Sequence, residues 1–176
     1  MDKELKYTIR RESPADYEEV YKMVKEAFLT DVSSDGSEAD YLTKIRNEAT
    51  FIPELSFVAK TDSNKTIGQI VLYKTFIKTN DGDIESLVLS PLSVDVGYFG
   101  KGVARMLIDF SLQQAQKMGY KSVFLCGNPR LYQKFGFYPS FTFNIFHKDD
   151  HEAQWCMAKE LIPGSLDNVS GIIDIV

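Results

Sequence analysis

The sequence contains few cysteines and histidines, and it has no long apolar run. Its two cysteines, Cys126 and Cys156, lack the close spacing of a zinc site or of a redox pair, so we expect buried, reduced thiols. No apolar stretch approaches the roughly 18 residues of a membrane-spanning helix. The first ten residues mix charges and form no apolar leader. These absences predict an unprocessed cytoplasmic protein with no membrane partner.

The chain also lacks an excess of positive charge. Twenty Lys and Arg against 25 Asp and Glu leave a net charge of -5, so no overall basic field attracts nucleic acid. A composition of 44% hydrophobic and 26% charged residues excludes disordered, collagenous and coiled-coil chains. The length of 176 residues is close to the roughly 150 of one domain. We expect one domain over 1–176, with a core at about 5–162 and a partly packed C-terminal extension at 163–176.

Hydrophobic periodicity predicts an α/β chain. A helix begins after the Ser13-Pro14 start signal, a weaker one covers 38–49, and a third runs from Gly100 to Met118. Alternating or continuous apolar runs predict strands at 7–12, 56–60, 67–79, 86–94 and 122–127. Pro91 predicts a β-bulge or edge, because proline donates no ladder hydrogen bond. The segments FYPSFTFNIF and WCMAKEL predict two further strands.

The chemically informative segment is GYFGKGVA, residues 97–104, which joins the proline-containing strand to the third helix. Gly100 and Gly102 permit positive φ and a close approach of the backbone to a ligand. The first N–H groups of a helix lack intrahelical acceptors, and the helix dipole favours an anion there. The glycine spacing matches neither GxGxxG nor the P-loop GxxxxGK[ST]. From the turn alone, an anion site and a ligand-free structural turn remain equal alternatives.

Together with its surroundings, this turn resembles the signature of the Gcn5-related N-acetyltransferase (GNAT) family, Gln/Arg-x-x-Gly-x-Gly/Ala after a bulged strand. The match is FGKGVA at 99–104, and LSPLSVD and NPRLYQKFGF, at 128–137, resemble the family's fourth strand and C-terminal acetyl-CoA segment. It departs at Phe99, where Gln or Arg is usual. The resemblance covers about residues 5–162. It implies a single-domain GNAT-like α/β fold, with a mixed, mostly antiparallel sheet splayed at the bulge and helices on both faces.

The resemblance implies an acetyl-CoA-dependent N-acetyltransferase that moves the acetyl group from the thioester to a primary amine. The amine attacks directly in a ternary complex, acetyl-CoA is a cosubstrate, and no metal takes part. The bulge would offer backbone groups to the pantetheine arm, residues 100–104 would hold the pyrophosphate, and Asn128 would face the pantetheine amides. The implied coenzyme-binding residues are Leu92, Ser93, Val94, Phe99, Gly100, Lys101, Gly102, Val103, Ala104, Asn128 and Tyr132.

The implied general acid is Tyr132, because many family members carry a tyrosine at this position whose hydroxyl meets the coenzyme sulfur; Tyr138 is a weaker candidate. Val88 stands where the family often has a glutamate. Glu85 and Glu54 are the nearest candidate bases, and the alternatives are a water chain and ordinary surface carboxylates. The acceptor amine is unidentified, although an acidic protein favours a cationic one. A homodimer is left open.

Two interpretations without catalysis stay open. Phe99 and the missing strand carboxylate fit an acyl-CoA-binding module that does not turn over, and a plain interaction domain would bind no coenzyme at all. His147 and His151, in HKDDH, have a spacing that can bind metal on a helix. Their flanks indicate a solvated turn, and no third ligand is evident.

Overall fold

A computed structural model describes residues 4–176. Its helices and strands are β1 (Tyr7–Arg11), α1 (Tyr17–Ala27), α2 (Glu38–Arg46), β2 (Ser56–Thr61), β3 (Thr66–Thr79), β4 (Gly82–Val94), α3 (Val103–Lys117), β5 (Ser122–Cys126), α4 (Pro129–Tyr132), β6 (Tyr138–Pro139), β7 (Ile145–His147), β8 (Cys156–Glu160) and β9 (Gly171–Ile173). Hydrogen-bonded neighbours follow the order β1-β2-β3-β4-β5-β8-β6, and β9 pairs with β3 and β7. The pairs β4–β5 and β7–β9 are parallel, whereas β1–β2, β2–β3, β5–β8 and β6–β8 are antiparallel. The predicted mixed, mostly antiparallel sheet is confirmed.

The chain forms two compact units. The first unit comprises the chain through Leu72 together with Pro91–Gln114, and the second comprises Tyr73–Ser90 and Ala115–Val176. Strands β3 and β4 and helix α3 each contribute residues to both units. The expectation of a single domain over 1–176 stays a prediction.

Helices cover both faces of β2 in the first unit. Phe57 packs edge-on against Phe110 of α3, with ring centroids 5.1 Å apart. Lys60, on the same strand, has its ammonium 3.2 Å from Asp16 and 2.9 Å from Glu19, at the start of α1. Side chains an odd number of residues apart on a strand point to opposite faces. Helices α1 and α3 therefore lie on opposite faces, as predicted.

A buried carboxylate anchors the start of α1. The Ser13-Pro14 signal forms a short 3-10 turn, Pro14–Asp16, that leads into the helix. The Asp16 carboxylate accepts two hydrogen bonds from the Arg10 guanidinium, at 2.7 and 2.8 Å, and one from the N–H of Ser13. The Arg10 hydrogen bonds, followed by those from Ser13 and Lys60, hold the pKa of Asp16 well below its usual range despite burial.

We expect Asp16→Asn to lower the free energy of unfolding by about 1–2 kcal/mol at neutral pH, because it removes the carboxylate that accepts the two Arg10 hydrogen bonds. It also leaves the Lys60 ammonium to pair with the Glu19 carboxylate. The folded-state pKa is depressed, so the carboxylate stabilises the fold above the unfolded pKa near 4 and this contribution is lost at lower pH. Urea denaturation at several pH values tests this. The difference from the native chain should shrink below about pH 4. Asp62→Asn, on the exposed turn after β2, is the control.

The aromatic segment of the second unit differs from the prediction of one strand. FYPSFTFNIF forms the two-residue β6, a 3-10 turn over Ser140–Phe143, and β7. The Thr142 hydroxyl donates to the carbonyl of Pro139 at 2.6 Å, and Asn144 adopts a φ of 61°. Asparagine tolerates this left-handed conformation because its short polar side chain can bond locally. Local hydrogen bonds thus override the alternating aromatic pattern.

The solvated turn predicted at the two histidines is wrong for His147. This residue ends β7 and is buried, whereas His151 is exposed. Nδ1 of His147 accepts the N–H of Asp149, so Nε2 carries the proton and donates to the carbonyl of Ile175 at 2.8 Å. The imidazole therefore ties β7 to the C-terminal segment. That segment also supplies β9 and the buried Ile173.

Candidate functional site

The end of β4 lies in the first unit and carries the predicted pantetheine-binding residues. The strand continues through Pro91 to Val94, with Ser93 buried and Leu92 and Val94 half-buried. In the second unit, β4 pairs with β5 at Leu87 and Val88, before the proline. The β-bulge at Pro91 and the contacts with pantetheine stay predictions.

A buried glutamine supports this end of β4. Gln69 of β3 is only 2% exposed, and its amide nitrogen lies 3.2 Å from both the carbonyl oxygen of Pro91 and the hydroxyl oxygen of Ser93. The side-chain amide of Gln69 therefore donates to the carbonyl of the proline itself. Sequence reasoning missed this residue. The available signal was a single polar side chain inside the apolar run IGQIVL.

The turn that follows β4 is closed by Asp95. Its N–H donates to the carbonyl of Ile67 at 2.9 Å, and its carboxylate accepts the N–H of Gly97 at 2.8 Å. The ammonium groups of Lys65 and Lys101 lie 5.1 and 5.4 Å from the ring centre of Tyr98. Two cations therefore stand beside the turn.

Two glycines shape the start of α3. Gly100 and Gly102 have φ values of 72° and 82°, and a Cβ on either would meet no atom within 4 Å. The predicted positive φ values are confirmed. The helix begins at Val103 instead of Gly100, because its first bond runs from the N–H of Met106 to the carbonyl of Gly102. The N–H groups of Val103 and Ala104, in the first turn, therefore have no acceptor within the helix.

The side chain of Phe99 is exposed, and its backbone is extended. The family usually has glutamine or arginine at this position. An aromatic ring therefore replaces a polar group, and Lys101 is the cationic side chain within the turn.

Helix α3 approaches β3 closely at Gly68. A Cβ there would lie 2.8 Å from Cδ1 of Leu107, 3.0 Å from Cγ1 of Val103 and 3.3 Å from the carbonyl oxygen of Ser93. Because Gly68 has no side chain, the start of α3 packs directly against β3, next to buried Ser93.

We expect Gly68→Ala to lower the free energy of unfolding by about 1–2 kcal/mol, since the added methyl group overpacks this contact. Gly97→Ala is the control, because its Cβ would meet only a side-chain oxygen of Asp95, at 3.2 Å. Denaturant titration of both variants tests the prediction. Equal midpoints for Gly68→Ala and the native chain would contradict it.

The second unit carries Asn128 and Tyr132. Asn128 is exposed, and its side-chain oxygen accepts the N–H of Arg130 at 2.9 Å, which caps α4. The ring of Tyr132 packs so closely on Gly127 that a Cβ there would lie 2.6 Å from Cε2. Its ring centre is 6.0 Å from that of Phe137. Burial raises the pKa of the Tyr132 phenol above its ordinary value.

The candidate bases take part in surface ion pairs. In the first unit, Glu54 lies 3.7 Å from the guanidinium of Arg11, and both side chains are about half exposed. In the second unit, Glu85 lies 3.4 Å from the ammonium of Lys74. Val88, where the family often has a glutamate, is fully buried in the apolar core. The catalytic roles of the two glutamates stay predictions.

The candidate coenzyme segments coincide with a known family domain. A family model described as an acetyltransferase (GNAT) domain matches residues 8–140. The chain belongs to the GNAT family. It is therefore an N-acetyltransferase by class, and acetyl-CoA is the cosubstrate of that class. The family and the enzyme class predicted from the sequence are confirmed.

Relatives and solved structures agree with this assignment. The chain is 30% identical over 129 residues to the uncharacterized N-acetyltransferase YhbS of Escherichia coli K12, covering 73% of this chain and 72% of the relative. The crystal structure of E. coli YhbS in complex with CoA superposes with a TM-score of 0.83 at 25% identity, covering 100% and 93% of the two chains. A GNAT acetyltransferase from Brucella melitensis, in complex with acetyl-CoA, gives 0.78 at 23% identity, covering 97% and 96%. These structures confirm the predicted fold.

Within residues 4–176, no group of three or more His, Cys, Asp or Glu side chains is arranged to hold a metal ion. None of the helices in the same range combines the length and apolar character needed to cross a membrane.

Proposed function

We propose that this protein binds acetyl-CoA and transfers its acetyl group to a primary amine by direct attack in a ternary complex. The observation that carries the proposal is the start of α3, where Gly100 and Gly102 adopt positive φ and helical N–H groups begin at Val103. A backbone of this shape leaves N–H groups without intrahelical acceptors, and these groups can bind a phosphate. The CoA complex of the similar protein YhbS supports the choice of coenzyme.

The pyrophosphate of acetyl-CoA accepts hydrogen bonds from N–H groups of residues 100–104. The helix dipole adds about 0.3–1 kcal/mol for a negative charge at this position, and Lys101 adds one solvent-screened ion pair. The backbone of Leu92, Ser93 and Val94 pairs with the pantetheine arm in the manner of an added strand. The oxygen of Asn128 is already engaged by Arg130. Its amide nitrogen is therefore the group that donates to a pantetheine carbonyl.

Acetyl transfer needs a neutral amine, a stabilised oxyanion and a protonated leaving group. The amine nitrogen attacks the thioester carbonyl, and a backbone N–H near Val94 donates to the oxyanion. The carbon–sulfur bond then breaks, and the phenol of Tyr132 donates its proton to the departing thiolate. Because burial raises the pKa of this phenol, it stays protonated at neutral pH.

The proton of the attacking amine leaves through water or through a carboxylate. Glu54 and Glu85 are the candidates, and each would first have to leave its ion pair with Arg11 or Lys74. The net charge of -5 favours a cationic acceptor. Direct attack requires no cysteine nucleophile. A cytoplasmic location and a homodimer stay predictions.

An acceptor screen tests the proposed function. The protein is incubated with acetyl-CoA and a panel of polyamines, amino acids, aminoglycosides and peptide N-termini, and the release of CoA thiol is measured. We expect release that depends on both the amine and the enzyme. Calorimetry with acetyl-CoA runs in parallel and measures binding without turnover.

The second candidate function is an acyl-CoA-binding module without catalysis. Phe99, in place of the polar residue of the signature, and Val88, in place of a carboxylate, favour this alternative. Binding of acetyl-CoA with no thiol release for any amine would support the module. No binding at all would contradict both functions.

A further inference from the structure

Strands β5 and β8 bring the two cysteines opposite each other. Cys126 and Cys156 are direct partners in the antiparallel register. The N–H of Gly127 donates to the carbonyl of Trp155 at 2.9 Å, so that neighbouring pair is hydrogen-bonded. Hydrogen-bonded and non-hydrogen-bonded pairs alternate along an antiparallel ladder. The cysteine pair is therefore non-hydrogen-bonded, the type in which side chains lie closest together.

This position meets the geometric requirement of a disulfide. Directly opposed residues in a non-hydrogen-bonded pair have Cα atoms about 4.5 Å apart. Disulfides join Cα atoms about 4.4–6.8 Å apart, so a bond here needs little backbone movement. The expected separation falls within that range. Both thiols are free in the structure.

The two thiols differ in exposure and in protonation. Cys156 is fully buried, and the Ser140 hydroxyl donates to its sulfur at 3.3 Å. Hydrogen bonds from Cys126 and Ser140 lower the pKa of Cys156 to about 7. Cys126 is half-buried, and its pKa is raised by its hydrogen bond to Cys156 and by burial. An oxidant therefore reaches Cys126 first, and the thiolate of Cys156 is the nearby base that takes the Cys126 proton.

We propose that Cys126 and Cys156 form an oxidation site at which a peroxide creates a reversible disulfide between β5 and β8. The Cys156 thiolate takes the proton of the Cys126 thiol as the Cys126 sulfur attacks one peroxide oxygen. The oxygen–oxygen bond breaks, and the hydroxide that leaves takes this proton from Cys156 and becomes water. The resulting sulfenic acid is attacked by the sulfur of Cys156. The sulfur–oxygen bond then breaks, and the departing hydroxide takes a proton from solvent and becomes a second water. One peroxide is reduced as two thiols are oxidised.

The bond lies directly before the segment that carries the predicted coenzyme contacts of the second unit. Cys126 is followed by Gly127, on which the ring of Tyr132 packs, and by Asn128. A disulfide would tie the end of β5 to β8 at this point. The site exists whether or not the chain turns over acetyl-CoA, because it rests on the strand register alone.

Thiol counting with intact mass measurement tests the proposal. The reduced protein is treated with a small excess of hydrogen peroxide, denatured, and labelled with N-ethylmaleimide. We expect both thiols to become unreactive together and the unlabelled protein to lose the mass of two hydrogen atoms. Dithiothreitol should then restore both thiols. Proteolysis should yield one peptide pair that joins residues 126 and 156.

Three results would overturn the proposal: two labelled thiols after peroxide treatment, a gain of oxygen atoms with no loss of hydrogen, or a disulfide only between two chains. Cys126→Ala is the matched control, because it leaves buried Cys156 without a partner. We expect Cys156 in this variant to remain reactive with N-ethylmaleimide after the same peroxide treatment. The measurement needs no acetyl-CoA, so its failure is distinct from failure of the transferase.

Discussion

Gly102→Glu should lower the affinity for acetyl-CoA by about 1000-fold. Gly102 has a φ of 82°, and open space surrounds the position of its Cβ. The glutamate side chain therefore has room to enter the place proposed for the pyrophosphate and puts a negative charge at the start of α3. Loss of two or three charge-assisted hydrogen bonds, each worth about 1.5 kcal/mol or more, accounts for the magnitude. Isothermal titration calorimetry measures it directly.

Two further variants separate charge from backbone strain. Gly102→Ala introduces the same unfavourable positive φ, about 1–2 kcal/mol, without a charge, and should weaken binding far less. Gly82→Glu places the same side chain on another exposed glycine, the first residue of β4, which has a φ of 116°. It should bind acetyl-CoA as the native chain does. Undiminished binding of acetyl-CoA by Gly102→Glu would contradict the proposed position of the pyrophosphate.

Tyr132→Phe should reduce kcat by about 100-fold while the Kd for acetyl-CoA changes little. The phenylalanine keeps the ring that packs on Gly127 and Phe137, and it removes only the hydroxyl that protonates the thiolate. Thiol release at saturating amine measures kcat, and calorimetry measures affinity. Tyr120→Phe, on a half-buried tyrosine of the same unit, is the control.

The pH dependence provides an independent readout of the same residue. Burial raises the pKa of Tyr132 above that of an ordinary phenol, so the acid form persists into the alkaline range. The native rate should therefore fall only in this alkaline range, and Tyr132→Phe should lose that limb of the profile. An unchanged kcat with an unchanged alkaline limb would exclude Tyr132 as the acid.

Local signals predicted most of the elements on which the candidate site stands. The apolar runs of β2 to β5, the start signal at Ser13-Pro14 and the positive φ values at Gly100 and Gly102 were all evident in the sequence. Each depends on a residue and its near neighbours in the chain. The start of α3 was predicted at Gly100, three residues early. Gly100 and Gly102 adopt positive φ, which is not helical, so the helix begins only at Val103.

Prediction failed where short-range hydrogen bonds or distant partners compete with periodicity. The alternating aromatics of FYPSFTFNIF indicated one strand, but Thr142 and Asn144 form a turn inside it. His147 read as a solvated loop residue. Its partner, the carbonyl of Ile175, comes from the C-terminal segment.

The sequence alone determined the GNAT family, the order of the main helices and strands, and the glycines at the start of α3, because these depend on contiguous residues. Three contacts were decided only by the tertiary structure. Gln69 donates to the end of β4, α3 packs closely against β3 at Gly68, and Cys126 lies opposite Cys156. Strand register and helix contact arise from packing between segments remote in the chain. A linear pattern does not specify which of those segments meet.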